Sequence, residues 1–188
     1  MRVSTTQFST MAQCLRKYEY RYIDRLVPKP AAVKHVLRRG VWIHACLEAV
    51  HKQEDWRRTL EALEAQVRGP GWNVPEEEII LLLLETEAII IGYIDYWADK
   101  PDGQFEPVLV EKELTYQLGP HELTATLDYL GRFSDGLWIV EVKSTGDIPP
   151  PLWRGVDPQT GIQLLAAREA GYDVQGIRFD YLSTKLPP

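Results

Sequence analysis

The spacing of apolar and polar positions divides the chain into a helical part followed by a sheet-forming part. In residues 1–100 apolar side chains recur at steps of three and four, the spacing of one helix face. From Glu106 onward the period changes to two, which is typical of strands. We therefore expect a mixed α/β (α+β) fold in a single domain over residues 1–188. Residues 1–100 should be mostly helical, and residues 106–184 should contain a central mixed β-sheet flanked by helices.

Three helical regions are predicted in the first part. Val3 to Leu26 should form an opening turn and a helix, a second helix should follow Gly40 through about Gln66, and a third should run from Pro75 to about Trp97. The apolar stripe expected on the first helix consists of Phe8, Met11, Leu15, Tyr18 and Tyr22. Each helix should therefore bury one face against the rest of the protein.

A β-hairpin is the clearest pattern in the second part. Two apolar and aromatic runs, Asp128–Phe133 and Leu137–Val142, flank a Ser-Asp-Gly turn in which Gly136 can adopt the positive φ that the turn needs. Because side chains two apart on a strand share a face, Glu141 and Lys143 should project together. The hairpin places Asp128 on the adjoining strand.

Other elements complete the predicted sheet. Residues 107–118 and 121–133 should form two strands that precede the hairpin turn. After the hairpin, a helix ending near Ala170 should lead to a last strand from Val174 to Thr184. The passage from the hairpin through this helix to the last strand is a crossover between strands of one sheet.

Charge is distributed unevenly along the chain. The net charge is −6, but residues 1–40 hold nine lysines or arginines against Glu19 and Asp24, so this segment carries +7 and the remainder −13. Such asymmetry indicates a surface that faces a polyanion. A basic segment that packs against the acidic remainder is the alternative. The residues predicted to contact a nucleic acid are Arg16, Lys17, Tyr20, Arg21, Arg38 and Arg39.

We expect neither a signal peptide nor a membrane-spanning segment. The amino terminus is polar, and the most apolar stretch, Ile79 to Ile94, is interrupted by Glu85 and Glu87. Cys14 and Cys46 are too few for a disulfide framework, which favours a reducing compartment. We therefore expect a cytoplasmic protein, in the host cytoplasm if it is viral, without a membrane partner.

Asp128, Glu141 and Lys143 together have the chemistry of a metal-dependent phosphodiesterase. Two adjacent carboxylates repel each other unless a cation neutralises them, and Mg²⁺ or Mn²⁺ takes carboxylate, water and phosphate oxygens as ligands. A nearby lysine can hold or help to deprotonate the attacking water, and the metal stabilises the charge that develops on the phosphodiester. An exposed Glu-Lys pair at a strand end is the alternative interpretation.

The pattern of Asp128 followed by Glu141-Val142-Lys143 resembles the PD-(D/E)XK nuclease superfamily, and it is most similar to the RecB-like branch with its CRISPR-associated exonucleases. The resemblance extends over residues 4–184 and implies a restriction-endonuclease-like core. This family often has a further acidic residue on a preceding strand that aids metal binding. Glu111 and Glu113 are both candidates for it.

The resemblance also implies roles for individual residues. Gly40-x-x-x-His44 matches a motif whose histidine reaches the metal. A Gln-x-x-x-Tyr motif that orders the site is matched at Gln163, with Ala167 in place of the tyrosine. The implied catalytic residues are His44, Asp128, Glu141, Lys143 and Gln163, and the implied metal ligands are His44, Asp128, Glu141 and the backbone carbonyl of Val142.

Cys14 lies where the RecB-like branch has the cysteine of its first motif, with Leu15 in place of the usual proline. Members of the branch that hold an iron–sulfur cluster use this cysteine and three carboxy-terminal ones, whereas no cysteine follows Cys46 here. We therefore expect no iron–sulfur cluster. Cys14 should then be a small buried hydrophobic residue.

These patterns predict a Mg²⁺- or Mn²⁺-dependent deoxyribonuclease. By resemblance it should be an exonuclease that acts on single- or double-stranded DNA ends in recombination, repair, or phage or genome processing. Recombination or replication proteins are the partners that such a role would imply, and a homo-oligomer is compatible with the sequence. The alternative is a non-catalytic DNA-binding or assembly module that retains the fold, which the departure at Ala167 favours.

Overall fold

The computed structural model describes residues 2–26, 35–70, 72, 74–100, 103–148, 150 and 157–184. A mixed β-sheet forms its centre, with helices on both faces. The mixed α/β architecture, the helical first part and the sheet-containing second part agree with the sequence prediction.

The first part of the chain forms more helices than predicted. They are α1 (Thr5–Gln13), α2 (Leu15–Tyr18), a π-helical turn (Glu19–Ile23), α3 (His35–His51), α4 (Trp56–Arg68) and α5 (Glu76–Ala98). The long helix expected to end near Gln66 is therefore two helices, because the chain turns after His51. Asp55 starts the second of these by accepting a hydrogen bond from the amide of Arg57 at 3.1 Å.

The continuous apolar stripe predicted for the first helix is wrong. Cys14 has an extended backbone (φ −162°, ψ 106°), which interrupts the helix and changes the direction in which later side chains point. As a result Leu15 is 72% exposed. Cys14 is exposed as well, which corrects the expectation that it is buried. Phe8, which precedes the break, packs against buried Leu123 and its neighbours.

The second part of the chain supplies nearly the whole sheet. The strands are β1 (Arg2–Ser4), β2 (Glu106–Leu118), β3 (His121–Phe133), β4 (Gly136–Thr145) and β5 (Val174–Ser183), with α6 (Pro158–Glu169) between the last two. The strand β1 was not predicted. The sequence did predict the hairpin turn, the two strands before it, the crossover helix and the last strand. Gly136 in the hairpin turn has the expected positive φ of 131°.

β3 is the central strand of the sheet. It pairs with antiparallel β2 along almost its full length. On its other side, β1 runs parallel beside residues 122–124 and β4 runs antiparallel beside residues 129–133. β5 continues the sheet as the parallel neighbour of β4. Between residues 124 and 129, the side of β3 that faces β1 and β4 pairs with neither strand.

Helices cover the two faces of the sheet separately. Residues of α3, α4 and α5 form one cluster with Tyr129, Val140 and Val142. On the opposite face, Ala167 of α6 packs with buried residues such as Leu130 and Ile139 of the hairpin. The α3–α5 side and the α6 side of the sheet are therefore distinct surfaces, and β4 contributes alternate residues to each.

Helix α5 agrees closely with its prediction. Its buried residues are Ile79, Leu82, Thr86, Ile90 and Tyr93, which lie three or four positions apart on one face. Three glutamates occupy its first turn, where the helix dipole favours negative charge. Within the described residues, no helix has both the length and the apolar character needed to cross a membrane.

Candidate active site

The candidate site lies where β3 and β4 separate. Their register ends at Tyr129 and Val140, one residue before Asp128 and Glu141 would face each other. Beyond that point, the Asp128 carboxylate takes the place of a backbone partner, since its Oδ2 accepts a hydrogen bond from the amide of Val142 at 2.8 Å. The separation of the strands thus leaves room for side chains in the plane of the sheet.

The alternation of side chains shifts by one residue at this point. Leu127 packs on the α6 side, whereas Tyr129 packs on the α3–α5 side, although residues two apart on a regular strand share a face. β2 shows the same shift, because Val110 packs on the α3–α5 side and Leu114 on the α6 side. Glu111 lies at the shift in β2 and has a positive φ of 45°, which is uncommon for a residue with a side chain.

Three side chains meet at this irregularity and form the acidic cluster: His44, Glu111 and Asp128. One ligand atom from each lies within 4.8 Å of the others. The Nδ1 atom of His44 is 3.7 Å from Oδ1 of Asp128 and 4.0 Å from Oε1 of Glu111. The histidine comes from α3, and the two carboxylates come from β3 and β2.

The electrostatics of the acidic cluster favour a cation. Burial, reinforced by the charge of Glu141, raises the pKa of Asp128 to about 6. Burial, reinforced by Asp128 and Glu48, raises the pKa of Glu111 to about 7. The ionised form of each carboxyl group is therefore disfavoured by burial and by the neighbouring negative charges, which nearby cations offset only in part. A divalent cation would offset these charges, and the cluster offers two carboxylate oxygens and one imidazole nitrogen as ligands.

Glu141 lies beside the acidic cluster and is 2% exposed. Lys143 Nζ and Gln159 Nε2 both donate to its Oε1, the latter at 2.8 Å. Gln163 Nε2 donates to Oε2 at 2.7 Å and to the carbonyl of Thr126 at 3.0 Å. Gln163 thus bridges β4 and the unpaired stretch of β3, and it fixes the orientation of the Glu141 carboxylate.

Gln159 is a site residue that the sequence interpretation missed. It lies on the first turn of α6, four residues before Gln163, so both side chains point to the same side of the helix. The Gln-x-x-x-Gln spacing was the available signal. With Gln159 in the first position of the Gln-x-x-x-Tyr motif, Gln163 stands where the tyrosine was expected. Ala167 is instead a fully buried core residue.

The structure also separates the two candidate acids of β2. Glu111 faces His44 in the acidic cluster. Glu113 lies at the surface and forms an ion pair with Arg2 of β1. Glu111 is therefore the acid that could join a metal site.

Four residues predicted to contact a nucleic acid are exposed on the amino-terminal helices: Arg16, Lys17, Tyr20 and Arg21. Arg16 Nε donates to the Tyr20 hydroxyl at 2.7 Å, and the guanidinium carbon lies 5.4 Å from the centre of the ring. A cation and an aromatic face are thus presented together. That this surface binds a nucleic acid stays a prediction.

Arg38 and Arg39 are placed differently. Their side chains are 9% and 11% exposed, and they donate to Glu78 at 2.7 Å and to Glu85 at 3.0 Å. Both guanidinium groups therefore hold α3 against α5. They would have to leave these carboxylates in order to bind a phosphate, so they have less structural support as nucleic-acid contacts than the exposed residues.

The substitution Glu111→Gln should stabilise the metal-free protein at pH 8. Because the folded-state pKa values of Glu111 and Asp128, about 7 and about 6, exceed the ordinary values, the folded state binds more protons than the unfolded state between about pH 4 and pH 7. These two groups therefore lower stability as pH rises through that window. We expect the melting temperature of the variant in EDTA to exceed that of the wild type at pH 8.

At pH 5 the melting temperatures of the two proteins should converge, since Glu111 is then mostly protonated in the folded state. The control is Glu113→Gln, which removes the same charge from an exposed site of the same strand. An equal gain in stability for both variants at pH 8 would show that the effect comes from the overall negative charge of the protein, not from the acidic cluster.

The substitution Gln163→Leu should destabilise the fold by about 1–3 kcal/mol, because it leaves the carbonyl of Thr126 and one oxygen of buried Glu141 without their donor. Denaturant unfolding monitored by circular dichroism measures this change. Gln159→Leu is the matched variant: Gln159 is only half-buried, so water can replace its bond to Glu141. A loss for Gln159→Leu as large as that for Gln163→Leu would contradict the bridging role of Gln163.

Comparisons with known proteins extend these observations. The model of the PD-(D/E)XK nuclease superfamily matches residues 2–185. A crystal structure from Eubacterium rectale, named "Putative exonuclease", has a TM-score of 0.63 and 13% identity, and the match covers 97% of this chain and 68% of that chain. Protein VC1899 from Vibrio cholerae gives a TM-score of 0.32 and 16% identity over 84% of this chain and 44% of that chain, which supports no inference. No curated protein matches the sequence. The Eubacterium rectale structure shows a shared fold.

Proposed function

The chain belongs to the PD-(D/E)XK nuclease superfamily, and from this membership and the geometry of the site we propose that it is a Mg²⁺- or Mn²⁺-dependent deoxyribonuclease that degrades DNA from its ends. The observation that carries the proposal is the acidic cluster of His44, Glu111 and Asp128, whose ligand atoms lie within 4.8 Å of one another at the separation of β3 and β4. Nuclease activity is supported by the family itself.

The residues around the separation would hold the metal. His44 would contribute Nδ1, and Glu111, Asp128 and Glu141 would contribute carboxylate oxygens. The carbonyl of Val142 would complete the set, because the carbonyl and amide of one strand residue point to the same side, and this amide points at Asp128. A divalent cation bound there supplies positive charge that stabilises a phosphate as its negative charge develops.

Lys143 would position the attacking water. Its ammonium group contacts Glu141 and its side chain is 28% exposed, so it can also reach a water or a phosphate. Its positive charge favours the deprotonated form of a water bound beside it. Gln159 and Gln163 would keep Glu141 oriented during the reaction, since each donates to one of its two oxygens.

DNA is the proposed substrate. The exposed basic and aromatic residues of the amino-terminal helices, Arg16, Lys17, Tyr20 and Arg21, suit contacts to phosphates and bases. The end-specific, exonuclease mode is the one that the RecB-like resemblance implies. It would place the protein in recombination, repair, or phage or genome processing.

Cleavage assays with two DNA substrates test this proposal. End-labelled linear DNA and closed circular DNA would each be incubated with Mg²⁺, Mn²⁺ or EDTA. Metal-dependent loss of linear DNA alone is the expected result. Cutting of the circle would indicate an endonuclease. DNA that is bound but left intact with every metal would favour the alternative, a non-catalytic DNA-binding or assembly module.

A further inference from the structure

Helix α5 is apolar on two sides, and the described part of the protein covers only one of them. The covered side packs in the cluster formed with α3, α4 and the sheet. On the other side, four large apolar residues are between 36% and 60% exposed: Ile80, Leu84, Ile91 and Ile94. We call this stripe the α5 outer face. Because a helix that is apolar all round is typically buried all round, the α5 outer face is expected to have a partner.

The shape of the α5 outer face suits another helix. Its residues are separated by four, seven and three positions, the spacing of the seam between two packed helices. From Ile80 to Ile94 the stripe is about 21 Å long, at the usual rise of about 1.5 Å per residue. A partner helix of about three to four turns would therefore cover it.

The charges around the α5 outer face select the kind of partner. Helix α5 contains six acidic residues and no basic residue. Three of the acids are exposed beside or within the stripe: Glu77, Glu87 and Asp95. Two copies of α5 packed against each other would bring these acids together, and like charges across an interface oppose association. The complementary partner is a helix with an apolar stripe and basic flanks.

Residues 15–26, which we call the amino-terminal arm, have this chemistry. The arm consists of α2, the π-helical turn and the three residues that follow. It carries four basic residues against two acidic ones. Three of its apolar residues are between 57% and 72% exposed: Leu15, Ile23 and Leu26. A helical segment of 12 residues is about 18 Å long, which is close to the length of the α5 outer face.

The apolar and basic side chains of the amino-terminal arm lie on different faces. Tyr18 and Tyr22 share a face, since their ring centroids are 5.3 Å apart, and Leu15 precedes Tyr18 by about one turn. Arg16 and Tyr20, which share a hydrogen bond of 2.7 Å, are offset from this face by two residues. Docking of the apolar face would therefore leave the Arg16–Tyr20 pair accessible to DNA.

We propose that the amino-terminal arm of a second copy of this chain docks on the α5 outer face. Within one chain the arm follows α1, which packs through Phe8 on the α6 side of the sheet, whereas α5 covers the opposite side. Both apolar surfaces are consequently exposed in a single copy, and two copies can bury both by exchanging arms reciprocally in a closed dimer. The inference goes beyond the proposed nuclease function and does not depend on it.

The oligomeric state of the full chain tests the proposal. Sedimentation equilibrium in EDTA, without DNA, would compare the wild type with a face variant, Leu84→Gln/Ile91→Gln, and an arm variant, Leu15→Gln/Ile23→Gln. We expect the wild type to dimerise and each variant to raise the dissociation constant of the dimer at least 10-fold, or by about that factor for each apolar side chain lost from the contact. A wild type that stays monomeric up to about 1 mM would overturn the proposal.

The matched control is Val108→Gln/Leu118→Gln, which makes the same kind of change at two exposed apolar positions of β2. Its dissociation constant should equal that of the wild type. All the substituted residues are exposed, so each variant should fold, and circular dichroism checks this. An equal loss of dimer in the control would show that exposed apolar residues associate without specificity, and the proposal would fail.

A mixing experiment identifies the two surfaces that meet. The face variant keeps an intact arm and the arm variant keeps an intact α5 outer face, so an equimolar mixture can form one of the two contacts. Sedimentation velocity with a fluorescent label on one variant should detect a heterodimer in the mixture. If the arm variant alone still dimerised, or the face variant alone did, the contact would join two like surfaces and the proposal would be wrong.

The substitution Glu87→Gln gives a test in which the sign of the effect decides. Removal of this acid should weaken docking of a basic arm about 2- to 5-fold, the range of an exposed charge contact. It should strengthen packing of α5 against α5, because it removes a repulsion. A tighter dimer would therefore overturn the proposal. Since none of these measurements uses DNA or a catalytic metal, their outcome and that of the cleavage assays are independent.

Discussion

Replacement of Asp128 by asparagine should lower the rate of metal-dependent DNA cleavage by a factor of about 10² to 10³, by analogy with the loss of a key electrostatic group from other enzymes. Asparagine keeps an oxygen that can accept the hydrogen bond from the Val142 amide, so the separation of β3 and β4 should persist. The substitution removes one negative charge from the acidic cluster formed with His44 and Glu111. The defect should therefore be in metal binding and catalysis, with folding preserved.

Two measurements check this expectation. The cleavage rate on end-labelled DNA reports catalysis, and the rise in melting temperature on addition of Mn²⁺ reports metal binding, because a ligand that binds only the folded state stabilises it. Both should be lost in Asp128→Asn. Glu113→Gln is the control, since Glu113 is an exposed acid paired with Arg2. Retention of wild-type cleavage by Asp128→Asn would remove Asp128 from the site.

The substitution Lys143→Met should lower kcat by a factor of about 10² to 10⁴, the range expected when a group that assists proton transfer or positions water is removed. Methionine keeps much of the length of the side chain, and Glu141 retains its bonds from Gln159 and Gln163. Metal binding should therefore survive, in contrast to Asp128→Asn. The expected signature is a normal Mn²⁺-dependent rise in melting temperature together with a large loss of kcat.

Lys112→Met provides the matched control for this prediction. Lys112 is an exposed lysine of β2, and its removal changes the net charge by the same amount. We expect its kcat to be close to that of the wild type at moderate ionic strength. If Lys143→Met instead lost metal-dependent stabilisation and kcat in parallel, Lys143 would act by holding Glu141 in place. Its assignment to the attacking water would then be wrong.

These two variants also distinguish the proposed nuclease from the alternative binding module. A protein that only binds DNA does not depend on a lysine beside two carboxylates, so Lys143→Met would affect its binding no more than Lys112→Met. The buried carboxylate of Glu141, held by three donors, is costly to maintain unless it has a partner or a function. The enzymatic interpretation accounts for that arrangement.

The sequence determined the features that depend on local pattern. The period of two placed the hairpin, Gly136 marked its turn, and the spacing of apolar residues placed α5. Alternation along β4 was sufficient to put Glu141 and Lys143 on one face. In each case the relevant residues are close in sequence, so backbone geometry alone links the pattern to the structure.

Contacts between distant residues were decided only by the tertiary structure. Glu111, and not Glu113, lies in the acidic cluster because the alternation of side chains along β2 shifts by one residue at Glu111, whose φ is positive. The apolar pattern of the sequence does not reveal this shift. The ion pairs of Arg38 and Arg39 depend on how α3 packs against α5, so a basic cluster in the sequence did not become a basic surface.

The architecture of the site shows the same division. The sequence pointed to Asp128, Glu141 and Lys143 as candidates, and family resemblance added His44. The sequence did not show that the pairing of β3 and β4 ends at Tyr129, so that the strands are separate at Asp128. Nor did it show that the Gln159 side chain would reach Glu141 at this separation. Pairing of strands and docking of a helix depend on the burial of surfaces from many segments at once. For this reason the sequence determined which residues have the chemistry of the site, and only the tertiary structure decided how they come together.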